Sequence, residues 1–143
     1  MKKRVFLAGI IQGSHADKGV HPQDYRRRVR ELVEKHVPGA EVYDPVAEYP
    51  GSVEYPDDYA KQVFFGLMEK AARADVLIAF LPQASLGTAI EMWEARRAGV
   101  HVVAISPLKH NWVIRFVSDV AVSDLEEFEK HLSENGLGTE SRD

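Results

Sequence analysis

The stretch "ADVLIAFLPQASLGTAIEMWEARRAG" (residues 74–99) decides the fold. Its first part, "ADVLIAFLP" (74–82), is apolar almost throughout, the pattern of a central strand buried on both faces of a parallel sheet. "SLGTAIEMWEARRAG" (85–99) then predicts a helix, with Gly99 as its stop. A buried strand running straight into a helix is half of a βαβ unit, so the flanking sequence is expected to alternate in the same way.

It does so on both sides. Toward the N-terminus, "RVFLAG" (4–9) reads as a buried strand and "IQGSHADKGVH" (11–21) as a loop. "HPQDYRRRVRELVEKHVPG" (21–39) reads as a helix with Pro22 in its first turn and Pro38-Gly39 at its end. A second strand is expected at "AEVYDP" (40–45), a long loop at 46–58 and a second helix at 57–73. Toward the C-terminus, "VHVVAIS" (100–106) is a fourth strand, 107–119 an ambiguous stretch with room for a short helix, and "VAV" (120–122) a fifth strand. "SDLEEFEKHLSENG" (123–136) is a capped amphipathic helix. The pattern predicts one α/β domain over residues 1–135, a parallel sheet of five strands covered on both faces, and a disordered tail over 136–143.

Composition narrows the function. The 143 residues are 45% hydrophobic and 28% charged, ordinary for one soluble globular domain. Net charge is -4, and the basic run "YRRRVR" (25–30) reads as a solvated helix face, so a nucleic-acid polymer is not an expected partner. The chain has no cysteine, which excludes disulfides, thiolate metal ligands and cysteine nucleophiles. Its six histidines show no H-x-H or H-E-x-x-H spacing, so no metal site is expected. No apolar run approaches the about 18 residues of a membrane span. The start "MKKRVFLAGIIQGSH" lacks the small-residue cleavage site of a secretory signal, and a cytoplasmic location is expected.

Ligands of open parallel sheets bind at the carboxyl ends of the strands. Three loops leave that edge, beginning at Gly9, Asp44 and Pro82. The first, "GIIQGSHADKG", is neither G-x-G-x-x-G nor a P-loop; Gly9 and Gly13 permit close backbone approach to a ligand, or simply a turn, and His15 is a candidate contact. In the third, Ser85, Gly87 and Thr88 surround a helix start whose free N–H groups suit an anion or a sugar hydroxyl. Glu91 follows, and its spacing has two readings. Thr88-x-x-Glu91 fits a capping box. Alternatively Glu91, on one helix face with Thr88, Ala95 and Ala98, looks into the crevice as a nucleophile or general base. Trp93 and Trp112 are expected in the core or at a subunit contact.

The strand "ADVLIAFLP" with "SLGTAIEMWEARRAG", and "FLAGIIQG" running into "YRRRVRELVEKH", resembles the nucleoside 2-deoxyribosyltransferase family over roughly residues 4–105. Ser85, Gly87 and Glu91 are spaced as in its 2'-deoxynucleoside 5'-phosphate N-hydrolase branch. The resemblance implies a flavodoxin-like (Rossmann-like) sheet of order 2-1-3-4-5, a homodimer, no cofactor, and cleavage or transfer of an N-glycosidic bond. Glu91 would attack C1' and form a glycosyl ester; Gly9, Ile11, Gly13, Ser85, Gly87 and Thr88 would bind the nucleoside or nucleoside 5'-monophosphate. The chain departs from the family pattern at three places. Phe6 stands where the family has Tyr, Ile10 and Gln12 where the phosphate-specific branch has Ser and Arg, and Gly66 or Leu67 where the family has an Asp that assists the leaving base. Asp44, Asp58 and Glu69 are the candidate replacements for that Asp. Two other functions fit the same residues: a nucleotide-binding sensor that has lost the acid, and a Toll/interleukin-receptor-like domain that cleaves NAD with one Glu.

Overall fold

The computed structural model describes residues 2–13, 15 and 19–138. Five strands, β1 (Arg4–Gly9), β2 (Glu41–Tyr43), β3 (Val76–Phe80), β4 (His101–Ile105) and β5 (Val120–Val122), form one all-parallel sheet in the order β2-β1-β3-β4-β5. The central strands are buried on both faces because helices cover both. On one face, α1 (Asp24–His36) and α6 (Leu125–Asn135) pack Tyr25, Val29, Val33, Phe128 and Leu132 onto Val5, Leu7, Val76, Ile78 and Val103. On the other, α3 (Asp57–Arg73), α4 (Leu86–Arg97) and α5 (Trp112–Val117) cover Phe6, Ala8, Leu77, Ala79, Val102 and Ala104. This is the flavodoxin-like arrangement expected from the sequence.

One row of that second face positions the site. Ala8 pairs with Ala79 and Ala79 with Ala104, so three alanines lie side by side across the middle of the sheet. A methyl is the smallest side chain that still fills space, and α4 settles on this flat strip through Met92 and Ala95, both fully buried.

The structure corrects several local expectations. Residues 46–58 are not a featureless loop: they hold most of a short helix, α2 (Pro45–Glu48), and a 3-10 turn at Ser52–Glu54. The side chain of Asp44 accepts a hydrogen bond from Val46 N at 2.9 Å and Pro45 stands at the first helical position, a helix start written in two residues. The first helix begins at Asp24 rather than His21, because His21 N donates to Ile11 O instead. Packing also continues past residue 135: Leu137 is buried in the α1/α6 core. The rest of the expected tail, residues 139–143, lies outside the described residues.

Candidate active site

A cavity of about 630 Å³ opens at the carboxyl ends of β1 and β3, the edge where sheets of this kind take ligands. Three segments build it: the loop after β1, the stretch from Ser52 through Met68, and the start of α4. Gly9, Ile11, Gly13, His15, Ser85, Gly87, Thr88 and Glu91 all line it.

The α4 wall settles how Glu91 is used locally. Ser85, not Thr88, is the N-cap: its backbone is extended and its Oγ accepts from Thr88 N at 3.4 Å while donating to Thr88 Oγ1 at 3.0 Å. Thr88 is therefore the third residue of the helix, 2% exposed, and Glu91 lies a turn further on, out of reach of the cap N–H. The capping-box reading of Thr88 and Glu91 is overturned, because a residue three positions after the cap, not six, closes that box. Among the described residues Glu91 makes no hydrogen bond or ion pair. It is half-buried, and burial pushes its carboxyl up to about 8, with the charge of Arg26 opposing.

The β1 wall rests on a residue that sequence reading missed. In sequence it belongs to a run that reads as a solvated basic face, yet Arg26 is 4% exposed. Its guanidinium pairs with Asp44 at 2.9 Å and donates to Gly9 O at 3.2 Å. Its Nε donates to Gln23 Oε1 at 2.7 Å, and Gln23 in turn donates to Ile10 O at 3.2 Å. One buried cation thus ties α1, the end of β1 and the end of β2 beneath the cavity. The signal was present in the sequence: Arg26, Val29 and Val33 share a helix face. Beside it Tyr25 donates to Ile10 O at 2.9 Å and stacks on Phe80, with ring centroids 4.2 Å apart. Gly9 is forced by this packing, since a Cβ there would lie 2.8 Å from the Tyr25 ring. Gly13 is forced twice, by a φ of +57° and by His21 Nε2 only 2.5 Å from where its Cβ would be.

Apart from Lys61, the α3 wall is apolar. Val63, Phe64, Leu67 and Met68 line the cavity, and neither Gly66 nor Leu67, the two positions at which the resemblance implies an acid, carries one. The three carboxylates expected as replacements lie off it. Asp44 is held by Arg26 and caps α2, while Asp58 and Glu69 are exposed elsewhere on α3. Trp93 and Trp112 are not in the core: they are 51% and 73% exposed, on the same side of the molecule as Leu86, Ile90, Phe65 and Phe116.

No protein-family model and no curated protein matches the chain. Solved structures do. A conserved protein from Enterococcus faecalis V583 superimposes with a TM-score of 0.69 at 19% identity, covering 94% of this chain and 99% of its own. A 2-deoxyribosyltransferase from Bacillus psychrosaccharolyticus superimposes with a TM-score of 0.64 at 18% identity, covering 88% and 90%. A flavoenzyme NAD(P)H:(acceptor) oxidoreductase from Paracoccus denitrificans reaches 0.50 at 12% identity, covering 95% and 96%. One architecture therefore carries unrelated chemistries, and the site rather than the sheet must decide between them. At these identities the likeness is one of fold, and the chain has the fold of a 2-deoxyribosyltransferase.

Proposed function

We propose that the chain cleaves or transfers the N-glycosidic bond of a small nucleoside or nucleotide, with Glu91 as nucleophile. One observation carries this reading: a half-buried carboxyl with no structural partner among the described residues faces a cavity at the ligand-binding edge of the sheet. A buried carboxyl without a partner is costly to keep, and such groups concentrate where chemistry uses them. The fold neighbour that transfers deoxyribose supports the same reaction class.

In this mechanism the substrate lies with its sugar between the start of α4 and the loop after β1. The backbone N–H groups of Leu86 and Gly87, left free at the helix start, favour a sugar hydroxyl or a 5'-phosphate, and Lys61 on the α3 side adds a cation. Glu91 attacks C1' and the base departs, leaving a glycosyl ester that water or a second base resolves. Gly9, Ile11, Gly13, Ser85 and Thr88 shape the sugar end; Ser85 and Thr88 spend their hydroxyls on each other and so act mainly by fixing the helix start.

The apolar side chains on α4 and its neighbours support a homodimer. Leu86, Ile90 and Trp93 are 83%, 43% and 51% exposed, and Trp112 and Phe116 on α5, which covers the same face of the sheet, are exposed as well. Exposed apolar surface on this scale fits a partner better than water, and a second copy is the proposed cover.

The test is base release. The protein is incubated with nucleosides and their 5'-monophosphates, with and without an acceptor base, and products are separated by chromatography. Free base from the wild type and none from Glu91→Gln is the expected result. Melting shifts with a nucleotide but no release from any donor would replace this reading with a binding module.

A further inference from the structure

We infer that the bond broken at this site joins the sugar to a ring nitrogen that is already positively charged, as in pyridinium nucleosides and N7-alkylated purines. The inference rests on the N-glycosidase reading and narrows its substrate class.

The α3 wall carries the argument. When a neutral purine or pyrimidine leaves, its nitrogen takes the bonding electron pair and becomes an anion unless a proton arrives with it. A carboxylic acid beside the base ordinarily supplies that proton. Among the described residues lining the cavity, Glu91 is the only carboxyl, and it is engaged as nucleophile. Along α3 the cavity meets Val63, Phe64, Leu67 and Met68, which have no proton to give, and Lys61, exposed near the helix start and assigned above to the sugar or phosphate end. Asp44 is committed to Arg26. A cationic ring needs no acid, because taking the electron pair makes it neutral.

Two further features fit the same ligand. Phe64 and Tyr55 line the cavity, and aromatic rings attract a cationic ring and also accept the neutral base that departs. Glu91 is held largely uncharged by burial, with Arg26 and Tyr25 on α1 the charged and titratable neighbours that interact with it. A cation arriving in the cavity favours the ionised carboxylate, so the substrate itself charges the nucleophile that attacks it.

The step balances without a further reactant. A Glu91 carboxylate oxygen bonds to C1', the C1'–N bond breaks, and its electron pair neutralises the ring. Water then adds to C1', the ester C–O bond breaks to regenerate the carboxylate, and one proton passes to solvent. Each turnover on a cationic donor therefore releases one proton, whereas hydrolysis of a neutral nucleoside to a neutral base releases none.

The experiment compares matched donors: guanosine with 7-methylguanosine, and inosine with nicotinamide riboside. It uses the wild type, Glu91→Gln and His15→Ala, with base release followed by chromatography and protons by pH-stat. The inference expects the cationic donors to react about 100-fold faster or more, the scale of a missing general acid. It also expects one proton per base, loss of release in Glu91→Gln, and a preference for the cationic donors that persists in His15→Ala. Comparable turnover of the neutral donors would overturn it while leaving the N-glycosidase reading standing. So would release from the neutral donors that is lost in His15→Ala, which would make this exposed cavity residue the acid. No release from any donor would overturn both.

Discussion

Helices α1 and α4 lie on opposite faces of the same sheet and finish their outer sides differently. α1 buries Tyr25, Arg26, Val29 and Val33 and turns Arg27, Arg28 and Glu31 to water. α4 buries Thr88, Met92 and Ala95, yet its outer side carries Leu86, Ile90 and Trp93. A helix with a polar outer face is complete in a monomer; one with large apolar side chains on its outer face ordinarily has something on both sides. The polar residues are also exchanged. α1 hides a cation that holds two strands together, whereas α4 hides a carboxyl that holds nothing together. Burying a charge for structure and burying one for chemistry look alike in a sequence and differ in whether a partner is present.

The sharpest way to break this contrast is to remove each buried group. Glu91→Gln keeps size and shape but cannot ionise, and base release is expected to fall by 10³-fold or more, on the order seen when a covalent nucleophile is lost. Arg26→Met should act on stability instead. Leaving Asp44 buried and unpaired costs about 3–5 kcal/mol, read as a shift in the denaturation midpoint. Arg27→Met, one residue on and exposed, should change stability by less than about 0.5 kcal/mol. If Arg26→Met proves as mild as Arg27→Met, α1 has no structural cation and the contrast fails.

Gly9→Ala tests the packing beneath the cavity. Its methyl would collide with the Tyr25 ring, and overpacking of this kind costs about 1–3 kcal/mol. For the outer face, Trp93→Glu should convert a dimer to a monomer in analytical ultracentrifugation, while Glu31→Lys on α1 should leave the assembly state alone. A wild-type monomer would refute the cover proposed for α4.

The smallest expected effect is one of pH. Glu91 holds its proton up to about 8 in the fold against an ordinary value of 4.5. The folded state thus binds the extra proton, and the favourable contribution is full below about 4.5 and lost as pH rises through about 8. Glu91→Gln should therefore melt higher than the wild type at pH 9, by on the order of 5 °C, with the difference vanishing near pH 4. Activity should move the opposite way, rising with pH toward about 8 as the nucleophile ionises. An equal gap at both pH values would mean that burial does not govern this group.

The sheet was legible because its signals are local. "RVFLAG" and "VAV" matched β1 and β5 to the residue, and the second predicted helix, 57–73, matched α3, since apolar runs and helix periodicity show within a few positions. The placement of Gly9, Gly13, Ser85 and Glu91 on one cavity followed from the strand ends. What the sequence concealed is what depends on distant partners. Arg26 looks like its neighbours Arg27 and Arg28 until Asp44, eighteen positions away, comes to meet it. Thr88 looked like the cap because nothing in the local pattern reveals that Ser85 turns its hydroxyl inward. Leu137 falls after a glycine stop and is pinned only by a core assembled from the rest of the chain.

The alanine row Ala8, Ala79 and Ala104 has a consequence for how this protein can change. These residues lie beneath the helix that carries Glu91, and their size sets its height. Replacing any one with valine adds two methyls under α4 and jacks the helix outward, moving the carboxylate relative to the loop after β1 without altering a single residue that lines the cavity. The reach of the nucleophile is thus governed from below, by the thickness of the floor, and variants that retune the site can be sought in the sheet as readily as around its rim.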